Sequence, residues 1–90
     1  MTWSIERTDT FLDALKEFKK NTELLNSLEK KLQRLQEDPY AVGGRLSGKL
    51  HGWHSTRLVG KFRLLFKIDD NQKIVYLGAI DHRGNVYEQK

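Results

Sequence analysis

Arg57 and Arg63 are the residues whose type and spacing first suggest chemistry. Arg63 interrupts an apolar run, Phe62-Arg63-Leu64-Leu65-Phe66, in which Phe62, Leu64, Phe66 and Ile68 share one face at period two. Arg63 therefore points to the other face. Arg57 lies in the preceding strand-like segment. A two-residue turn at Gly60-Lys61 would pair Leu58 with Arg63 and aim Arg57 at the apolar side, which is costly for a charge. A three-residue turn, Val59-Gly60-Lys61, pairs Arg57 directly with Arg63 and is the expected arrangement. Like charges opposite one another destabilise a sheet, and a phosphate held by two guanidinium forks explains such a pair.

The C-terminal stretch adds His82, Arg83 and Tyr87. Histidine titrates near neutrality, arginine stabilises phosphoryl charge, and tyrosine stacks on a base. RNA cleavage by transesterification needs a base for the ribose 2′-hydroxyl, an acid for the 5′-leaving oxygen and cations for the equatorial oxygens. This set suffices for that chemistry without being diagnostic of it, and the chemistry requires no metal.

Other chemistries lack their residues. There is no Gly-x-Gly-x-x-Gly or Walker-type loop, so no nucleotide cofactor is expected. There is no Gly-x-Ser-x-Gly elbow and no cysteine. His51 and His54 lack a nearby third ligand, so no metal is expected. Trp53, at a loop–strand junction, is expected to pack in the core.

The elements that must position these groups begin with a short strand at Trp3-Ser4-Ile5. Thr8, Asp9 and Thr10 are N-cap types, Thr10 with Asp13 resembling a capping box. Phe11, Leu12, Leu15 and Phe18 then recur at helical spacing. Asn21-Thr22 is suited to cap a second helix, whose stripe is Leu24, Leu25, Leu28, Leu32 and Leu35 and whose end is Asp38-Pro39. Val42-Gly43-Gly44 reads as a loop. Strands are expected at 55–59, 62–68 and 73–80, the last two separated by the polar turn Asp69-Asp70-Asn71-Gln72. The fold class is α+β: an N-terminal strand, a helical hairpin and an antiparallel meander, the helices packed on one face of a four-stranded sheet in a single domain, 1–90.

The 90 residues carry 16 Lys+Arg against 12 Asp+Glu. The excess is segregated. Residues 1–40 hold seven basic and eight acidic side chains, and residues 41–90 hold nine and four. Such segregation is the footprint of an anionic partner. Arg45, Lys49 and Lys61 are expected to attract phosphate diffusely. No stretch is apolar enough to span a membrane, and the N-terminus lacks a signal-peptide core, so the cytoplasm is the expected location.

Leu46-Ser47-Gly48-Lys49-Leu50, Gly52-Trp53, Ser55-Thr56-Arg57-Leu58, Phe62-Arg63-Leu64-Leu65-Phe66 and His82-Arg83-Gly84-Asn85-Val86-Tyr87 together resemble the RelE/ParE toxin superfamily. The segment from Gly52 to Arg57 is most similar to the RelE and YoeB branches. The resemblance implies a RelE/ParE-like, microbial-RNase-like fold and the toxin of a type II toxin–antitoxin pair. It implies a ribosome-dependent endoribonuclease that cleaves mRNA on the ribosome without a metal or cofactor, and a cognate antitoxin as partner. It makes Arg63 the holder of the scissile phosphate, Arg57 a basic residue near the 2′-hydroxyl, His82 or Arg83 an acid or charge stabiliser, and Tyr87 a stacking residue. The general base stays open between His54 and Tyr87. The same fold also carries ParE-type toxins that inhibit DNA gyrase without being enzymes, so fold alone does not separate the two activities.

Overall fold

The computed structural model describes residues 2–46 and 52–82. The expected Lys49, Arg83 and Tyr87 positions, and His51, lie outside the described residues. The elements are β1 (Ser4–Arg7), α1 (Asp9–Glu17), α2 (Thr22–Glu37), a 3-10 turn (Pro39–Ala41), β2 (Gly44–Arg45), β3 (His54–Arg57), β4 (Phe62–Asp69) and β5 (Ile74–His82).

Local chemistry sets the helix ends. Thr8, not Thr10, caps α1. Its hydroxyl oxygen accepts from the Phe11 N–H at 3.2 Å and donates to the Leu77 carbonyl at 2.7 Å. The Thr8 hydroxyl thus serves the helix and the sheet together. Asn21 caps α2 by accepting from the Leu24 N–H at 3.1 Å. Asp38 precedes Pro39 in an extended conformation and ends α2 as expected.

The sheet order is β1-β5-β4-β3-β2. β1 runs parallel to β5, and the other neighbours are antiparallel. The expectation of four strands is therefore corrected to five. The additional strand, β2, pairs Gly44 with Ser55 and Arg45 with His54. Two residues beginning at a glycine carry no alternating pattern, which is why this segment reads as loop.

Phe11 of α1 and Leu24, Leu28 and Leu35 of α2 meet Leu58, Leu64, Phe66, Val75, Leu77 and Ile80 in one core. Full burial of a side chain such as Phe11, Leu64 or Phe66 stabilises the fold by about 1.5–3 kcal/mol. Phe62 and Ile68 also pack against this core, so the period-two face of β4 is the one the helices cover.

β5 contains one residue more than β4 opposite the centre of the sheet. Phe66 pairs with Leu77 but Leu65 pairs with Ala79, leaving Gly78 as a bulge. Before it, Val75 and Leu77 face the helices; after it, Ile80 does.

Candidate functional site

The β3–β4 turn positions the arginines. The Leu58 N–H donates to the Phe62 carbonyl at 2.9 Å, and the Phe62 N–H donates to the Val59 carbonyl at 3.2 Å. Gly60 takes φ +62°, a left-handed conformation that suits glycine. Val59-Gly60-Lys61 is thus the loop, and Arg57 is the partner of Arg63. Both point away from the helices, opposite to Leu64 and Phe66. Arg57 is exposed and Arg63 is half-buried.

Sequence reasoning missed the third member of this row. Arg63 pairs on its other side with Asp81. The row Arg57–Arg63–Asp81 crosses three strands and carries two positive charges and one negative. Counting straight across the Asp69–Lys73 turn would place Ile80 opposite Arg63. The bulge shifts the register by one, which sends Ile80 into the core and Asp81 to the other face. A glycine inside a strand-like run was the available signal.

Trp53 is not in the helix-covered core, contrary to the sequence expectation. Its indole lies against the Gly78 backbone, where a Cβ would overlap the ring. The Lys67 Nζ stands 5.0 Å from the ring centroid. Beside the indole is a groove of about 360 Å³ lined by Thr8, Thr10, Trp53, Leu65, Gly78 and Ala79. Leu65 follows Arg63 by two residues on β4, and Ala79 precedes Asp81 by two on β5, so the groove adjoins the charged row on the same face.

His54 is not brought to the arginine pair. It pairs with Phe66 in register and stacks on that ring, with centroids 5.4 Å apart and planes at 18°. Tyr40 meets it edge-on at 6.2 Å, and the Tyr40 hydroxyl donates to the Asp70 carboxylate. This hydrogen bond, which the ionised phenol could not donate, raises the Tyr40 pKa above its ordinary value, with burial and the nearby Asp70 charge adding to the effect. Burial, and secondarily the positive charge of Arg45, pushes the His54 imidazole below its ordinary pKa. The sheet itself separates His54 from Arg57 and Arg63, which corrects its candidacy as their general base.

Arg45 is exposed on the edge strand as the partner of His54, away from the arginine row. Lys61 is exposed in the turn that joins Arg57 to Arg63. His82 is the last described residue, and its register partner is Phe62. Among the described residues no group of three or more His, Asp or Glu side chains could hold a metal ion. Among them, too, no helix is long and apolar enough to cross a membrane.

A family model described as the ParE toxin of type II toxin-antitoxin system, parDE, matches residues 5–87. Toxin RelG of Mycobacterium tuberculosis (strain ATCC 25618 / H37Rv) is 38% identical over 55 residues, which is 61% of this chain and 62% of that toxin. The match therefore spans less than two thirds of that relative's length. Among solved structures, the toxin–antitoxin complex RelBE2 from Mycobacterium tuberculosis is similar at 28% identity and TM-score 0.78, over 92% of this chain and 100% of that one. The YoeB/ParE toxin from Agrobacterium tumefaciens shares the fold at 13% identity and TM-score 0.77, over 89% and 98% of the two chains. A double mutant of the E. coli toxin RelE in the free state shares it at 22% identity and TM-score 0.68, over 94% and 86%.

Proposed function

The chain belongs to the family of ParE toxins of type II toxin–antitoxin systems, and from that premise we propose that it is a toxin that acts in the cytoplasm as a ribosome-dependent endoribonuclease on mRNA. The observation that carries this reading is the pairing of Arg57 with Arg63 on the face away from the helices. Two guanidinium groups side by side fit one phosphodiester and stabilise the charge that develops on it. The ribose 2′-oxygen attacks phosphorus, a 2′,3′-cyclic phosphate forms and the 5′-oxygen leaves. One proton passes from the 2′-hydroxyl to a base, and another reaches the leaving oxygen from an acid. With His54 on the other face, Tyr87 is the proposed base, and His82 or Arg83 the proposed donor or charge stabiliser. The arginines supply the cationic charge that a metal would otherwise provide. Lys61, and with it Lys49 and Arg45, adds attraction for the RNA backbone.

A cognate antitoxin is the proposed protein partner. The similar mycobacterial chain was solved as the toxin–antitoxin complex RelBE2, and the cationic half of this chain suits an acidic segment that orders on binding.

Gyrase inhibition without catalysis is the competing activity, since the matching family model is named for ParE. A coupled translation extract separates the two. Purified protein should cut mRNA in translating ribosomes and leave gyrase supercoiling unchanged. Uncut mRNA together with stalled gyrase would overturn the nuclease reading.

A further inference from the structure

The groove beside Trp53 is not used by the phosphate chemistry described above. Among the described residues its lining is uncharged: two threonines, an indole, a leucine, a glycine and an alanine. The Thr8 hydroxyl is committed to the Phe11 N–H and the Leu77 carbonyl, whereas Thr10 lies exposed at the rim. The floor is the Gly78 bulge, where the missing side chain lets the indole approach the backbone.

Its position matters as much as its lining. From Arg63 to Leu65, and from Asp81 back to Ala79, is two residues along a strand, or about 6.6 Å. A phosphate centred on Arg57 and Arg63 therefore has this apolar-walled groove as its direct neighbour. A flat, uncharged group covalently attached to that phosphate would enter it, with an aromatic wall and a hydroxyl at the edge. A nucleobase meets that description.

We propose that the groove formed by Trp53, Leu65, Gly78 and Ala79 receives the nucleobase adjoining the phosphate held by Arg57 and Arg63. It is a base subsite and gives the toxin a preference at one nucleotide. This rests on the RNA-cleavage reading, but its test does not require turnover. Lys67, over the indole, places a cation at the subsite's border.

The test is a chemical-shift titration of the uniformly labelled full chain with three probes: the dinucleotide adenylyl-(3′→5′)-adenosine, ribose 5-phosphate and adenosine. The dinucleotide should move the Trp53 indole N–H and the Gly78 and Ala79 amides together with the Arg57 and Arg63 amides. Ribose 5-phosphate should move only the arginine row and bind about fivefold more weakly, the low end of what one base–aromatic contact contributes. Adenosine alone should move the groove and not the row. Ala79→Leu fills the groove from an already half-buried position; it should abolish the Trp53 shift and keep the row's response. A melting curve checks that this variant folds, and Thr10→Leu, exposed at the rim, offers a second obstruction. A dinucleotide that leaves the Trp53, Gly78 and Ala79 signals unmoved overturns the proposal, as does an equal response of those signals to ribose 5-phosphate. If mRNA cleavage fails while the base-dependent shifts appear, the nuclease reading falls and the subsite stands; cleavage without those shifts has the opposite meaning.

Discussion

Asp81 lies opposite Arg63 because Gly78 is an extra residue in β5. The bulge reverses which residues of the strand's last turn face the helices. Without it, Ile80 would leave the core, where it is 8% exposed, and Asp81 would point into it. One glycine thus couples core packing to the charge pattern of the opposite face.

Gly78→Ala should be strongly destabilising, because its Cβ would occupy the space of the Trp53 indole. Overpacking of this kind costs about 1–3 kcal/mol. For a chain of this size each kcal/mol lowers Tm by about 4–8 °C. The same substitution made in a Trp53→Leu background should cost far less, since the clash has gone. Additive Tm losses in the double variant would show that the indole is not what excludes a side chain at position 78.

Asp81→Asn should tighten binding of a short single-stranded RNA, because the row then carries two positive charges and no negative one. The slope of log K against log salt should become steeper by about 0.7, the value for one further phosphate contact on a single strand. The fold should lose about 0.2–1 kcal/mol, as expected for an opposite-charge cross-strand pair. Unchanged affinity and unchanged slope would remove Asp81 from the electrostatics of the site.

Much of this arrangement is legible in the chain because it depends on local rules. The period of Phe62, Leu64, Phe66 and Ile68 sets which way Arg63 points, and the cost of aiming Arg57 at the core selects the three-residue turn. Proline 39 and Asn21 mark the limits of α2. The rest depends on contacts that no local pattern encodes. The parallel pairing of β1 with β5 joins residues about seventy positions apart. Arg45 enters a strand only because β3 is there to receive it. Asp81 is hidden by the bulge, and Trp53 reads as core because the pattern shows its apolarity but not the bare backbone of Gly78 that draws it to the other face.

Arg63→Ala should lower mRNA cleavage about 10²–10³-fold, the effect of removing one donor to a developing oxyanion. Arg57→Ala, at the exposed end of the row, should cost less, on the order of tenfold. Arg57→Ala should not lower Tm, because it relieves a like-charge pairing across β3 and β4. Arg63→Ala relieves that pairing too but removes the cross-strand partner of Asp81, so its Tm should fall slightly. Growth arrest on induction and primer extension on a reporter mRNA measure the effects. Full toxicity in the Arg63→Ala protein would mean that the row does not hold the scissile phosphate.

His54 supplies a pH dependence of stability that should be separable from activity. Its folded-state pKa is lowered, first by burial and then by Arg45, so the folded chain favours the neutral ring. Between the folded pKa and the ordinary value of about 6.5, the unfolded chain binds more protons, and stability rises with pH. The contribution is present in full above the unfolded value and is lost as pH falls through the folded one. Urea unfolding of the native protein should therefore give a lower midpoint at pH 5.5 than at pH 7.5. His54→Phe keeps a ring against Phe66 but cannot titrate, so its midpoint should vary less over that interval. Because the sheet stands between position 54 and the arginine row, this variant should still cleave mRNA. Loss of cleavage in a stably folded His54→Phe protein would return the histidine to the reaction.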